Sequence, residues 1–514
     1  MTINISMKNL LKIPIQLGKL IFSIFIISLF ILSACRKDES FITEGSAKLA
    51  FSTDTLRFDT VFTSIGSATR ILKVFNRNNQ PIKISKISLT NNTSIVFNLN
   101  IDGVSGKDFK DVEIPANDSI YVFAEVTVNP NAPLSISPFV LAQDLVFETN
   151  GNTQKVIMEA WGQNANYIPN RFSKGAFSVL NARDPNRVID WNDPKPYIIY
   201  GVLFIDSCIL RIAAGTRVHI HGGISYLPDT SAYRDGILFV LPHARIEALG
   251  TLEKPIIIEG DRLEKEFKDE PDQWAGLIIG SNSVGNVFNY TTIRNSRVGI
   301  RVDSAASLSL KNCKIYNTAG SGLVASHAQV SAENTLFYRN YGNSVQLEFG
   351  GEYNFTYCTL ASYGSRNAAL SANNFKCYER SGVSCTRARA YPLSMVATNC
   401  IFYGSKDDEI SFFDATKDIT TDFNTNFKNC LVRVKDLLKA ENTPDFLTNR
   451  CKDCINADGK AKVFRKPSDD NYKLDTLSIA EMKALPISTI PKDLEDKIRD
   501  LQKPDIGCFE FQYK

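Results

Sequence analysis

Histidine is scarce in this chain of 514 residues: there are four, His219, His221, His243 and His327. That leaves little material for a histidine-based metal centre or for the general base of a nucleophilic triad. His219 and His221 lie two apart on a strand-like stretch and face the same way, but two histidines alone do not make a metal site, and no metal, cofactor or catalytic residue is assigned from this pattern. An excess of charge of one sign is also lacking. The chain has 58 Lys and Arg against 55 Asp and Glu, and three of the lysines fall in residues 1–34, which hold no acid. The remainder is balanced, so nothing points to nucleic acid as a partner. The apolar run at 20–32 is shorter than the roughly 20 residues that span a bilayer. Sustained helical periodicity is hard to find before about residue 430, whereas β-branched, aromatic and turn-forming residues are common. The expected class is mainly β.

The N-terminus reads as an address. Lys8, Lys12 and Lys19 precede the apolar run, and Leu32-Ser33-Ala34-Cys35 follows it. This arrangement fits a signal peptide and resembles the bacterial lipobox. The resemblance implies lipidation at Cys35 and attachment to the outer membrane. Arg36-Lys37-Asp38-Glu39 comes next, with no Asp beside Cys35. It resembles the surface-export signal of Bacteroidota lipoproteins, which implies exposure at the cell surface rather than on the periplasmic face. The expected division is a signal peptide at 1–34, a tether at 35–46, a β-sandwich at 47–163, a linker at 164–199, a repeat domain at 200–440 and a cap at 441–514.

Residues 68–75, 82–89, 120–128 and 155–161 alternate apolar and polar side chains or sit between turn clusters. Strands at this spacing suggest a two-sheet sandwich. Phe58-Asp59-Thr60-Val61, Val74-Phe75-Asn76 and Ile114-Pro115-Ala116-Asn117-Asp118-Ser119 resemble the immunoglobulin-like domains of bacterial surface proteins, which implies a spacer or interaction module.

From about residue 200 the sequence acquires a beat. Tyr290-Thr291-Thr292-Ile293, Asn312-Cys313-Lys314-Ile315, Asn334-Thr335-Leu336-Phe337 and Tyr357-Cys358-Thr359-Leu360 follow one another at 22 or 23 positions. A fixed period of this length means stacked units. Two inward rows are expected, Ile293, Ile315, Phe337, Leu360 and Ile300, Leu323, Val345, Ala369. Cys313, Cys358, Cys400 and Cys430 share one coil position as small core residues. Asn312, Asn334, Asn399 and Asn429 share one bend. Gly215-Thr216-Arg217-Val218, Gly250-Thr251 with Pro255-Ile256, and Trp274-Ala275-Gly276-Leu277 resemble elements of the right-handed parallel β-helix of pectate-lyase-like proteins. The ending Asp505-Ile506-Gly507-Cys508-Phe509-Glu510 resembles the close of many bacterial β-helix chains. Residues 477–484 and 494–501 look helical, and the region is expected to cover the open end of the solenoid.

Two stretches break the period, a charged excursion at 261–272 and an insertion at 371–396. Loops that leave a rigid scaffold are where function tends to sit. Cys377 and Cys385 are placed to close the insertion with a disulfide in an exported protein. Cys451-Lys452-Asp453-Cys454 has zinc-type spacing, but zinc needs two further ligands and no second pair or nearby histidine exists; a disulfide and two free thiols both remain open. Four positions after the Asn landmark stand Arg294, Tyr316, Tyr338 and Tyr403, which the period aligns on one exterior strip as a possible sugar-stacking surface. Asp407-Asp408-Glu409 is a lone acidic cluster. The expected protein is a non-enzymatic surface lipoprotein whose β-helix binds a glycan or another surface protein. The rival is a polysaccharide lyase or glycoside hydrolase acting from the two period-breaking loops; its chemistry would need a base facing a uronate, or paired carboxylates.

Overall fold

The computed structural model describes residues 40–62, 67, 69–90, 95–128, 139–163, 165–169, 177–226, 231–263, 267–382, 384–414 and 423–511. Cys35 and its lipobox lie outside the described residues. The chain divides into two compact units, the first ending at Ala160 and the second holding Trp161–Lys514.

The first unit is an antiparallel sandwich of two five-stranded sheets. Arg70–Phe75, Ile82–Leu89, Ser119–Val128 and Asn152–Gln163 arise where the alternation places them. Period-2 patterning sends every second side chain inward, so Leu72, Val74, Ile84 and Val122 are fully buried between the sheets. Thr55–Phe62, Ile95–Ile101, Asp108–Ile114 and Phe139–Thr149 complete the sandwich.

The second unit is a right-handed parallel β-helix. Each coil contributes a strand to each of three parallel ladders, and coils stack at the ~4.8 Å strand spacing. The first ladder is an 11-stranded sheet; the second and third merge into a 17-stranded sheet because Leu323–Glu333 and Val345–Thr356 run through the corner between them. Ile293, Ile315, Phe337 and Leu360 stand in register and are buried, and Phe402 extends the row. In the second ladder Ile300, Leu323 and Val345 are followed by Leu370, not Ala369. The coil between Val345 and Leu370 is longer than the two before it, which shifts the register by one. The four ladder cysteines are buried free thiols, and burial pushes the Cys313 thiol up to about 12.

The recurrent asparagines have a backbone cause. Tyr290, Asn312, Asn334, Tyr357, Asn399 and Asn429 all occupy the left-handed region, with φ between 42° and 56°. Asn tolerates that conformation better than most residues. Its side chain is then free to work outward. Asn334, Asn399 and Asn429 donate from Nδ2 to the carbonyls of Lys492, Leu485 and Lys483. The bend therefore anchors the C-terminal segment rather than only itself.

That segment differs from expectation in form and place. Residues 477–484 and 494–501 are not helical: Leu477, Met482 and Asp496 have positive φ, outside the right-handed α region. Leu437, Phe446 and Cys451 join the main core at the end of the stack, while Ala457, Phe464, Tyr472, Ala480, Ile506 and Phe509 pack sideways on the outer face of the first ladder. Cys451 and Cys454 form a disulfide. The closing motif is the clasp of this flank. Asp505 accepts the Met482 and Phe511 amides. Glu510 accepts the Asp500 and Asp505 amides and pairs with buried Arg499 at 3.3 Å. Gly507, at φ +99°, leaves no room for a Cβ, which would lie 2.6 Å from Ile401.

Candidate functional site

The expected aromatic strip exists as a row but not as a surface. On the outer face of the first ladder Arg294, Tyr316, Tyr338, Ala361 and Tyr403 stand in register. Tyr338 is 9% and Tyr403 3% exposed. The C-terminal flank covers them: Tyr472 packs on Tyr338, and the Tyr403 hydroxyl donates to the Asp458 carbonyl at 2.8 Å. Tyr316 is half-buried and stacks on Tyr338 with centroids 4.4 Å apart. Arg294 donates to Glu259 at 2.6 Å and to the Tyr316 hydroxyl at 3.0 Å. As a sugar-stacking platform this strip is corrected: apolar chain from more than 50 residues away buries it as a second core.

The described residues of the period-breaking excursion, 261–263 and 267–272, lie against the same ladder. Asn295 and Asn317 donate to the carbonyls of Lys268 and Asp269 at 2.6 and 2.7 Å, and Leu263 packs beside Ile198 and Tyr200. Beneath it His219 lies 3.5 Å from Glu259, and His221 lies 2.7 Å from Asp261. Desolvation lowers the pKa of His219 and favours its neutral form. This break in the period closes a buried ionic network.

The acidic cluster is committed to structure. Asp407 bridges Arg433 and Lys435 at 2.7 and 3.0 Å. Asp408 accepts the amides of Lys435, Asp436 and Leu437. Glu409 is buried, accepts from Ser362 and from the amides of Ala369 and Lys406, and its carboxyl is held above the usual range by burial.

The outer face of the second ladder is half-buried to exposed among the described residues. Its row runs Val179, Phe204, Phe239, Ile278, Arg301, Val324, Gln346, Ser371, Ser411. The first end is aromatic. Phe204 stacks toward Phe239 at 5.6 Å and toward Phe177 at 6.1 Å, and Phe177 stacks on Tyr233 at 5.7 Å. Phe177 is 55% and Val179 59% exposed. Tyr233 belongs to a short hairpin, Gly223–Tyr226 with Ala232–Asp235, that leaves the coil beside this row. These aromatics were legible as a second echo, Gly201-Val202-Leu203-Phe204 and Gly236-Ile237-Leu238-Phe239, which the 22-residue beat hides because the coil between is longer.

The other end meets the insertion. Phe375–Ser381 and Ser384–Ala390 form an antiparallel hairpin, and Cys377 is joined to Cys385. It stands beside the corner between the second and third ladders. Ala305, His327 and Phe349 occupy that corner on successive coils, each with φ between 51° and 61°. His327 lies 5.1 Å from the Tyr391 ring and bonds through Nδ1 to the Phe349 carbonyl at 3.0 Å. Lys376 sits 5.7 Å over Phe349 and 5.6 Å over Tyr378; Arg389 sits 5.2 Å over Tyr391. The Tyr378 and Tyr391 hydroxyls are 2.7 Å apart. The period placed the break, but the corner residues that face it could be identified only from the folded register.

On the same face Asp303 and Glu348 lie two coils apart, either side of Ser326. Asp303 accepts from Arg301 at 2.8 Å; Glu348 accepts from Gln346 at 2.7 Å and Ser326 at 3.1 Å. The third ladder presents a shallow polar groove lined by Ser307, Ser309, Gln329, Ser331, Glu352 and Asn354. Among the described residues no cluster of His, Cys, Asp and Glu could hold a metal ion.

No family model and no curated protein matches the chain. Among solved structures, the catalytic unit of a thermostable GH87 alpha-1,3-glucanase from Streptomyces thermodiastaticus aligns at 10% identity and TM-score 0.31, over 70% of this chain and 66% of that one. This chain thus spans just under two thirds of that unit. The periplasmic alginate epimerase AlgG aligns at 10% identity and TM-score 0.25, over 50% of this chain and 77% of its own. At these scores neither likeness carries an argument about function.

Proposed function

We propose that this is an outer-membrane lipoprotein, anchored through Cys35 and exposed at the cell surface, that binds an extended glycan along the second ladder without cleaving it. The observation that supports this most is the row itself. Among the described residues its side chains are half-buried to exposed, and it runs the length of the stack, changing from aromatic side chains to Arg301, Gln346 and Ser371. Sugar rings have apolar faces that stack on aromatics and polar edges that take hydrogen bonds, so one chain can use both ends of such a row. The double variant Phe204→Ala, Phe239→Ala is expected to weaken retention of neutral polysaccharides in affinity electrophoresis by roughly 10-fold or more, from the lost apolar burial. Unchanged retention, or no retention of any glycan by the native protein, would sink the proposal.

A hydrolytic reading has one specific observation behind it. Two coils separate Asp303 from Glu348, about 9–10 Å by strand spacing, close to the separation that leaves room for a water in inverting glycosidases. Against it, the carboxylate of Asp303 is held by Arg301 and that of Glu348 by Gln346 and Ser326. Both carboxylates are thus engaged by neighbouring side chains, whereas such a pair must address the glycosidic bond and a water. Reducing-sugar release that disappears in Asp303→Asn would overturn the non-catalytic proposal.

A further inference from the structure

The insertion hairpin breaks a rule of strand pairing. Lys376 and Arg389 are directly opposite one another, and like charges in that relation repel. Arg380 and Arg387 add to the same hairpin, against the single acid Glu379, which pairs with Arg387 at 2.7 Å. A chain that is otherwise close to neutral therefore gathers cations on one short, exposed element.

The hairpin is also held rigid where a solvated loop would be loose. The Cys377–Cys385 disulfide ties its strands together, and the Tyr378–Tyr391 hydroxyl pair lies 2.7 Å apart. Lys376 and Arg389 are spread over the faces of Phe349, Tyr378 and Tyr391. Cation–π contact of this kind orients a cation and leaves its hydrogen-bond donors available. His327 sits in the same notch against Tyr391, with Nδ1 already engaged by the Phe349 carbonyl; its Nε2 is the remaining polar atom of the ring. The nearby acids do not neutralise the notch. Glu348 is engaged by Ser326 and Gln346, Glu352 faces Gln329 at 3.4 Å, and Asp414 accepts from Asn374 at 2.6 Å.

We infer that this notch receives the anionic group of an acidic sugar, with the Lys376 ammonium and the Arg389 guanidinium as its charge partners and the Tyr378 and Tyr391 rings against the sugar face. The inference rests on the glycan-binding proposal and names the class of glycan: one bearing a carboxylate, as in a uronic-acid residue, or a sulfate ester. Rings beside cations favour a sugar over a bare phosphate or a lipid headgroup, which would use the charges and leave the rings idle.

The test uses the full chain and three soluble polymers, a polyuronate, dextran sulfate and unmodified dextran, with duplex DNA and phosphatidylserine vesicles as further polyanions. The native protein is expected to bind one or both acidic glycans at least 10-fold more tightly than dextran. Lys376→Gln with Arg389→Gln is expected to remove that preference, since each charge-assisted bond lost weakens binding by roughly 10-fold or more. The arm that responds tells carboxylate from sulfate. Because the double variant relieves a repulsive pair, its thermal stability should match or exceed that of the native protein, so lost binding will not report misfolding. Tyr378→Phe with Tyr391→Phe retains the rings and should keep most of the preference, whereas Ala at both positions should not. Equal binding of acidic and neutral glycans, unchanged in the Lys376 and Arg389 variant, would overturn the notch and leave the glycan proposal standing. Binding of no glycan at all would overturn both. Binding of DNA or vesicles as tight as that of the acidic glycans would overturn the sugar class.

Discussion

Replacing Arg499 with Ala should loosen the whole C-terminal flank. Arg499 is 3% exposed. Its guanidinium donates to the Gly507 carbonyl at 3.1 Å and to Asn334 Oδ1 at 2.8 Å, pairs with Glu510, and lies 3.8 Å over the Tyr357 ring. It is thus one joint between the closing motif and the bend of the first ladder, across 165 residues of sequence. Removing one partner of a buried pair leaves the other charge uncompensated and costs about 3–5 kcal/mol. Asp493, Asp505 and Glu510 would all lose their shared cation. The measurable result is early proteolysis between residues 455 and 511, and hydrogen exchange that rises there while the rest of the stack stays protected. A variant whose flank exchanges as slowly as the native one would refute this account.

The same site makes the clasp sensitive to pH. Burial is the largest influence on Glu510, whose carboxyl is raised to about 7, and on Asp493 and Asp505, which are raised in the same direction. A carboxyl that binds its proton more tightly when folded contributes stability that is complete below its unfolded pKa, near 4.3. That contribution is lost as pH rises through the folded value. Protection of the flank should therefore fall between about pH 4.5 and 7, and Arg499→Ala should be less damaging at pH 5 than at pH 8. Glu510→Gln should flatten this dependence. A flank that grows more protected as pH rises over that window would show the sign to be wrong.

Phe337→Ala should produce a comparable loss by a different route. Phe337 is fully buried on the inward row, in register with Ile315 before it and Leu360 after it. Truncating such a residue removes its transfer energy and leaves a cavity, about 3–5 kcal/mol together. In a solenoid each coil is supported by its neighbours alone, so the damage should be local at first. Hydrogen exchange should accelerate in Leu336–Asn340 and in the adjoining strands Lys314–Thr318 and Thr359–Ser362, with the sandwich unaffected. Uniform acceleration through all coils would mean that the stack unfolds as one unit.

Much of this architecture can be read from the chain without its structure. The strand pattern of the sandwich, the 22-residue beat and most of the inward rows follow from periodicity, because strand period and coil length leave few other ways to pair apolar side chains. Ala369 was misplaced by one position because the coil before Leu370 is longer, and a register inferred from spacing cannot absorb an insertion whose bend is unknown. The two supposed C-terminal helices failed for a related reason. Of the apolar residues that set their spacing, Ala480, Ala484 and Leu494 pack on the flank of the first ladder while Leu477, Ile498 and Leu501 are exposed, and the turns that carry them contain residues with positive φ.

The candidate site divides the same way. The period by itself determined which side chains share a row, including the alignment of Arg294, Tyr316, Tyr338 and Tyr403. It could not say which rows face solvent. That was decided by segments outside the repeat: residues 261–263, 267–272 and 457–511 fold back over the first ladder, and the hairpin strands Phe375–Ser381 and Ser384–Ala390 stand beside the second. Local spacing sets neighbours along and between adjacent strands, because those are fixed by backbone hydrogen bonding. Exposure depends on which distant apolar segments find a face to bury, and here that choice closed the tyrosine row, left Phe204 and Phe239 half-buried and left Lys376, Tyr378 and Arg389 exposed.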